Sequence, residues 1–486
     1  MSESRQGHTV RGSLVYFFLF AAFGSTMPFM PLIWTNKGLS EHQVGVLGAV
    51  RPFVSFLVTP FACSLADAYG VQRQMVQAAM IAYPVCLSNV LLASNFLGIV
   101  AVEVSSSVSY CPITSLIDSF VIQSSGTDGY GNQRLWGAVG FGLASLLAGY
   151  VSDASDGEFF GTILVFVGFM VFTIAAFSSL PFGRAEKKAG SFVSDPDQTE
   201  AGVECTEGAV ASPTDASVIE DDDSTLALVP GRNDGDPDMK DESVDEDGGD
   251  RGGVEHGLLS ALRKILGSAE SATFFMAVGL SGMGMGVIDN FLFIWVEELG
   301  GSRLLCGIAR LIMCIAEVPF FSLSGWLIER LGVRTMIAIA QAAYFTRFIY
   351  YSVLENPWWV LPAEVLHGLT YAAMWTASIS YANEIAPANM HSTFQGLVTG
   401  IHWGIGYGLG AMIGGVMYAG VGGRMCFGIG AVLPSLSMTL LLLPGFRWWY
   451  VARCCPRRDV RNRGSTEAIN DAEYELVSKA DGGSET

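Results

Sequence analysis

Gly325-Trp326-Leu327-Ile328-Glu329-Arg330-Leu331-Gly332-Val333-Arg334 is the stretch that decides how this chain is read. It is a short charged turn between two long apolar runs, 303–328 and 334–354. Gly325 permits close helix packing, Glu329 faces the end of a neighbouring helix, and Gly332 turns the chain. Arg330 and Arg334 then sit where an anionic inner leaflet would hold them. A plain tight cytoplasmic turn would account for one such loop. A second, partial copy, Leu65-Ala66-Asp67-Ala68-Tyr69-Gly70-Val71-Gln72-Arg73, favours a gating clasp.

Working outward, the match between the two halves continues. Gly48-Ala49-Val50-Arg51 lies on Gly307-Ile308-Ala309-Arg310. Nine residues after each Arg comes a proline, Pro60 or Pro319, followed by Phe. Upstream, Ile33-Trp34 matches Ile294-Trp295; downstream, Glu103-Val104 with Tyr110 matches Glu364-Val365 with Tyr371. One register, broken by small gaps, therefore relates the halves.

A bilayer-spanning helix needs about 20 mostly apolar residues. Twelve stretches qualify: 13–34, 43–64, 74–92, 97–121, 134–152, 159–181, 272–297, 303–328, 334–354, 358–383, 394–418 and 424–446. The predicted fold is an all-α membrane protein with twelve transmembrane helices in two pseudo-symmetric six-helix bundles. The predicted domains are the bundles 1–181 and 269–450, a linker 182–268 and a tail 451–486. Residues 13–24 resemble a signal-peptide core, but their span has a counterpart in the second half and is read as part of the bundle. Duplicated six-helix halves are a transporter architecture, with the solute site at the repeat interface near mid-membrane.

The net charge of −19 belongs elsewhere. Residues 191–257 hold 20 Asp/Glu and only three basic residues, Arg232, Lys240 and Arg251. Such a segment cannot bury enough apolar surface to offset its ordering entropy, so it is read as a disordered linker. The remainder is nearly neutral, 15% of the whole chain is charged, and the mean hydropathy is +0.41. A nucleic-acid binder needs a basic stripe that is lacking here, and nine scattered Cys do not make a disulfide scaffold. With both termini cytoplasmic, 21 of 27 basic residues fall inside and three, Lys37, Arg303 and Arg424, outside. Trp358, Trp359, Trp448 and Trp449 sit at predicted span ends, as aromatic belts do. Cys454 and Cys455 follow the last span, as either plain thiols or palmitoylation sites.

The loop 325–334 resembles the signature of the major facilitator superfamily, Gly-x-Leu-Ala-Asp-Arg-x-Gly-Arg-Lys. The first-half copy departs from it, with Cys63 for the opening Gly and Ala68 for the Arg after Asp67. Gln133-Arg134-Leu135-Trp136-Gly137, Leu361-Pro362-Ala363-Glu364-Val365-Leu366-His367-Gly368 and Phe394-Gln395-Gly396-Leu397 are similar to the domain-containing-protein-6 branch, more distantly related to lactose-permease-type symporters. The resemblance covers nearly all the predicted membrane-embedded chain. It implies a transporter whose solute the branch does not define. It also implies gating roles for Asp67, Gly70, Arg73, Gly325, Glu329, Arg330, Gly332 and Arg334, and a central cavity lined by spans 1, 4, 7 and 10.

Charges within the spans are costly, about 2.5–3.5 kcal/mol each at the bilayer centre on insertion scales. They are Arg51, Glu103, Asp118, Asp289, Arg310, Glu317, Arg347 and Glu364, with His367 and His402. Counting back from the cytoplasmic loops puts Arg51 and Glu103 at similar depth. An Arg51–Glu103 pair is expected, with an Arg310–Glu364 twin, and a device present in both halves reads as scaffold. Asp289, Glu317 and His367 break the symmetry, standing where the first half has Pro28, Val58 and Ser106. Together with Arg310, Arg347 and Glu364 they are the candidate solute or proton groups. A carboxyl in a low-dielectric cavity resists ionisation, so it can load and release a proton as the cavity changes sides. Structural readings remain open: Asp289, beside Asn290, can serve an interhelical hydrogen bond, and Glu317 can simply partner Arg310 or Arg347. His402 reads as a packed, hydrogen-bonded residue. Arg134 reads as a positive-inside anchor. Tyr371, Trp375, Tyr381 and Tyr407 either pack or stack on a solute ring. Glycines crowd the fifth and eleventh spans, which in the resembled fold cross between the halves.

No Walker loop, metal-ligand spacing or dinucleotide loop is present. The expected function is therefore non-enzymatic and cofactor-free. It is secondary active transport of a small polar solute by alternating access, with proton symport. The expected partners are the solute, protons and lipid, without nucleic acid, and the expected state is a monomer. The alternative is a transport-fold receptor or scaffold acting through the acidic linker.

Overall fold

The computed structural model describes residues 2–125, 127–155, 159–179, 269–386 and 390–441. The acidic linker, Cys454, Cys455, Trp448 and Trp449 lie outside these.

In the first half, α1 (Ser2–Thr26) runs into a short 3₁₀ turn and α2 (Met30–Asn36). Pro28 and Pro31 break the ladder there, because each lacks an N–H. Then come α3 (Glu41–Tyr69), α4 (Gln72–Ser88), α5 (Phe96–Ser125), α6 (Thr127–Ala154) and α7 (Phe160–Ser178). The second half has α8 (Ala269–Glu298), α9 (Arg303–Leu331) and α10 (Val333–Ser352). It continues with α11 (Val360–Glu364), a π-helical stretch Gly368–Ala373, and α12 (Met374–Ile385). After α13 (His391–Thr399), a second π-helical stretch, Gly400–Gly406, leads into α14 (Tyr407–Gly430).

The repeat is visible in local structure. Helices α3 and α9 are both 29 residues long, about 44 Å at 1.5 Å per residue. Each opens on a serine N-cap: Ser40 Oγ accepts from Gln43 N, and Ser302 Oγ accepts from Leu305 N. Each ends at a positive-φ glycine, Gly70 at 63° and Gly332 at 78°.

By length and hydropathy, nine helices among the described residues can cross a membrane, against the twelve spans expected. The shortfall has local causes. Arg334, Gln341 and Arg347 make α10 more polar, and the 357–385 region is divided into 3₁₀, α, π and α pieces. Residues 393–441 form one continuous stretch, kinked at Gly422, where φ is 76° and ψ 169°. That kink lies between the expected eleventh and twelfth spans.

The halves meet along two helix pairs, α3 with α14 and α6 with α9. Small residues allow the approach. A Cβ on Gly45 would lie 2.9 Å from Gly415 Cα, and one on Gly307 would lie 2.6 Å from Ser145 O. Phe29 and Phe293, both buried, also meet across the halves at 6.2 Å between ring centroids. Many large apolar side chains point outward, Phe61 and Leu92 among them, as a lipid-facing surface requires.

Candidate functional site

The first half holds one ion pair deep in the bundle. Arg51 of α3 donates from Nη2 to Glu103 Oε1 of α5 at 2.9 Å. Glu103 is 2% exposed, and the guanidinium lies 5.8 Å from the Tyr110 ring centroid. Ser106 and Ser107 donate to the carbonyl of Glu103 one turn on.

The second half does not copy this pair. The expected Arg310–Glu364 partnership is replaced by two others. Arg310 turns to Asp289 of α8, with Nη1 and Nη2 at 3.3 and 3.2 Å from Oδ1. Glu364 is held by Arg347 of α10, Nη2 to Oε2, at 2.7 Å. The cause is two substitutions within the repeat: a carboxylate where the first half has Pro28, and an arginine in α10 with no basic counterpart in α4. Each original partner therefore has a nearer alternative. Tyr351 joins the second pair, donating to Glu364 Oε1 at 2.6 Å and accepting from Arg347 Nε at 2.9 Å.

Glu317 is paired with neither arginine. Its Oε1 lies 3.1 Å from His367 Nε2. The other ring nitrogen, Nδ1, lies 3.1 Å from Arg347 Nη1. Arginine can only donate, so Nδ1 accepts and the ring proton sits on Nε2, donating to Glu317. Arg347 Nη1 also donates to Thr370 Oγ1 at 2.9 Å. One connected chain results: Glu317, His367, Arg347, Glu364 and Tyr351, drawn from α9, α10 and the 360–373 segment. In this cluster three carboxylates, Asp289, Glu317 and Glu364, face two arginines.

Aromatic rings flank the chain. Tyr371 stacks on His367 at 5.6 Å and on Trp375 at 6.5 Å, and Trp403 stacks on Tyr407 at 5.7 Å. Asn290 donates to Gly286 O at 2.8 Å and reaches Tyr407 Oη at 3.4 Å. The hydrogen bonding beside Asp289 is thus made by its neighbour, while Asp289 itself takes Arg310. Tyr381 is elsewhere, packed on Phe274 at 4.2 Å in a separate apolar cluster.

The profile of the MFS_1 like family matches residues 10–429. The chain belongs to the MFS_1 like family. It is thereby an integral multi-pass membrane protein of the major facilitator superfamily, among transporters and not enzymes. It is similar to a maltose permease of Geobacillus stearothermophilus, 22% identical over 412 residues, 83% of this chain and 86% of that protein. A Danio rerio protein described as major facilitator superfamily domain-containing protein 6-like is 26% identical over 189 residues, 38% of this chain and 35% of its own length. The crystal structure of nucleoside transporter NupG superposes with a TM-score of 0.66 over 91% of this chain and 99% of that one. At 14% identity, that likeness establishes the fold.

In this MFS_1 like protein the two signature loops are built differently. Asp67 Oδ1 accepts from Gln72 Nε2, at the start of α4, at 2.7 Å, and Gly70 closes α3 in the left-handed region. In the second loop Arg330 lies over Trp326 at 4.9 Å, and Gly332 N bonds to Ile328 O. Gly325 corrects the expectation of close packing, since a Cβ there would meet nothing within 4 Å. Arg73, Glu329 and Arg334 lie at the same loops. Arg134 is 3.7 Å from Asp118, to which Tyr16 donates at 2.6 Å.

Three participants were missed in the sequence. Tyr351 lies four residues after Arg347 and Thr370 three after His367, so helical spacing alone could have found both. Asp153 could not have been found that way. Its carboxylate accepts from the backbone N–H groups of Arg303 and Leu304 at 3.0 and 2.9 Å. A side chain of one half thereby caps a helix of the other.

Proposed function

We propose that the protein is a proton-coupled secondary transporter that moves a small polar solute by alternating access, as a symporter. The observation that carries this reading is the state of Glu317. It is the carboxylate of the central cluster that is held by a histidine in place of an arginine. A carboxylate without a cationic partner in a low-dielectric bundle is the group best suited to exchange a proton. Its neighbour His367 bonds to Arg347, so the protonation of Glu317 is coupled to the Arg347–Glu364 pair. Similarity to a maltose permease, and the shared fold with a nucleoside transporter, support a small polar solute.

In this reading the chain has twelve spans in two bundles, 1–181 and 269–450, joined by the acidic cytoplasmic linker 182–268. Both termini, including the tail 451–486, are cytoplasmic, and the working unit is a monomer. Arg51–Glu103 and the two loops are scaffold and gates, while Asp289, Arg310, Glu317, Arg347, Glu364 and His367 serve solute and proton. The test is uptake into proteoliposomes under an imposed pH gradient or an imposed sodium gradient. Acceleration by the proton gradient alone supports the reading. Acceleration by sodium alone would recast Asp289 and Glu317 as cation ligands.

A further inference from the structure

The two helix contacts between the halves repeat one pattern. In each, glycines on both helices meet a backbone oxygen of the partner helix. A Cβ on Gly45 of α3 would lie 2.6 Å from Ala411 O, and one on Gly415 of α14 would lie 2.7 Å from Glu41 O. At the other contact, a Cβ on Gly307 of α9 would lie 2.6 Å from Ser145 O, and one on Gly149 of α6 would overlap Arg303 O. The spacing repeats as well. Gly45 is four residues after Glu41, and Gly307 is four after Arg303. Gly149 is four after Ser145, and Gly415 is four after Ala411.

The two contacts differ in what they add to packing. Between α6 and α9 stands a polar clasp. Asp153, one turn beyond Gly149, accepts from the N–H groups of Arg303 and Leu304 at 3.0 and 2.9 Å. The Arg303 side chain crosses in the other direction. Its guanidinium lies 4.3 Å from the ring centroid of Phe159, a buried residue at the N-cap of α7, and its Nη1 reaches Ser152 Oγ at 3.5 Å. Glu297 of α8 holds Nη2 at 3.1 Å, and the arginine side chain is only 12% exposed. A cation in the first turn of a helix opposes the helix dipole, so α9 gains no local stability from an arginine there. What the arginine supplies is its grip on the other half.

The α3–α14 contact lacks such a clasp. Position 419, which follows Gly415 as Asp153 follows Gly149, is alanine. Glu41 takes the place of Arg303, and the like charge of Glu298 in the other half acts against it. Among the described residues no hydrogen bond or ion pair joins α3 to α14. Two seams of equivalent position therefore close the same end of the bundle. One is held by packing and charge, the other by packing.

We propose that the Asp153–Arg303 clasp is a one-sided latch, which holds this end of the bundle shut and sets how often both seams part. The inference rests on the reading of the chain as an alternating-access transporter, in whose orientation this end faces outside. Glycine-to-backbone contacts are van der Waals contacts, and a gap of 0.5–1 Å forfeits a quarter to a half of such an attraction. Attraction between charges falls only as the inverse of distance. The clasp thus still pulls when the glycine contacts have begun to separate. Each half moves as a packed body, so a hold on one seam restrains the other.

The experiment is double electron–electron resonance on the full-length protein in lipid nanodiscs, without solute or gradient. The nine cysteines are replaced, and spin labels are placed at two exposed positions astride the unlatched seam, His42→Cys of α3 and Gly420→Cys of α14. With the clasp intact, one short distance should dominate. Arg303→Met keeps the apolar stem and loses the charge; it should raise the ratio of long to short distances by about tenfold. Glu41→Gln, the equivalent change on the seam itself, should not raise it. Should Arg303→Met fail to fold, Phe159→Leu, which removes the ring beneath the guanidinium, takes its place and should also raise the ratio. An unchanged ratio in Arg303→Met, or in Phe159→Leu where that variant stands in, overturns the proposal. So does a rise in Glu41→Gln as large as that in Arg303→Met. An unchanged ratio alongside solute uptake by the native protein counts against the latch alone. A raised ratio in a protein that takes up no solute counts against the transporter reading alone.

Discussion

Arg347 Nη2 lies 2.7 Å from Glu364 Oε2, and these two side chains are 1% and 0% exposed. No other ion pair among the described residues is so completely buried at both ends. Removing one partner of a buried pair leaves an uncompensated charge, at a cost of about 3–5 kcal/mol. Arg347→Ala should therefore lower the melting temperature sharply. Asp289→Asn should lower it less, because Asp289 and Arg310 are 15% and 11% exposed and water can share the load. Equal losses in thermal denaturation of the two purified variants would contradict this ranking.

The Arg51–Glu103 pair makes a different prediction, because it joins α3 and α5 by a single hydrogen bond. Reversing both charges, Arg51→Glu with Glu103→Arg, should recover folded yield relative to either single reversal. Fluorescence-detected size-exclusion profiles of the three variants measure this. A double variant no better than the singles would mean that the pairing does not stabilise the bundle.

Asp153 links the halves at the end of the bundle opposite the Gly70 and Gly332 turns. Its carboxylate occupies the N-terminus of α9, where unpaired N–H groups and the helix dipole favour an anion. Loss of such a cap costs about 0.5–2 kcal/mol. That is enough to shift a transporter between two closely balanced conformations. Asp153→Ala should raise the rate at which a cysteine at Phe293→Cys is labelled by an impermeant maleimide from that side. Phe293 is the reporter because it is buried against Phe29 of the other half. An unchanged labelling rate would show that the cap does not hold the halves together.

The fold was legible because crossing a bilayer demands a long apolar run, and that demand is written along the chain one residue after another. Part of the site was legible for the same kind of reason. Equal depth brought Arg51 and Glu103 together on paper, and they lie 2.9 Å apart. The second half misled because depth does not say which neighbour is beside a residue. Arg310 and Glu364 have the right depth, yet Asp289 and Arg347 reach them first. The π-helical stretches were also hidden. Nothing in Gly368–Ala373 or Gly400–Gly406 changes the hydropathy pattern, and an extra residue per turn shows only in the backbone. Gly325 gave a false signal, since a glycine in a motif need not mark a close approach.

Glu317 is the proposed carrier of the coupling proton. Its most direct test uses proteoliposomes loaded with a pH-sensitive dye and given sugars, nucleosides, amino acids and organic ions in turn from outside. With the native protein, addition of the transported solute should acidify the interior. With Glu317→Gln, which fixes the uncharged form, solute should still exchange across the membrane at equilibrium while acidification disappears. Acidification by Glu317→Gln at the native rate would contradict the account.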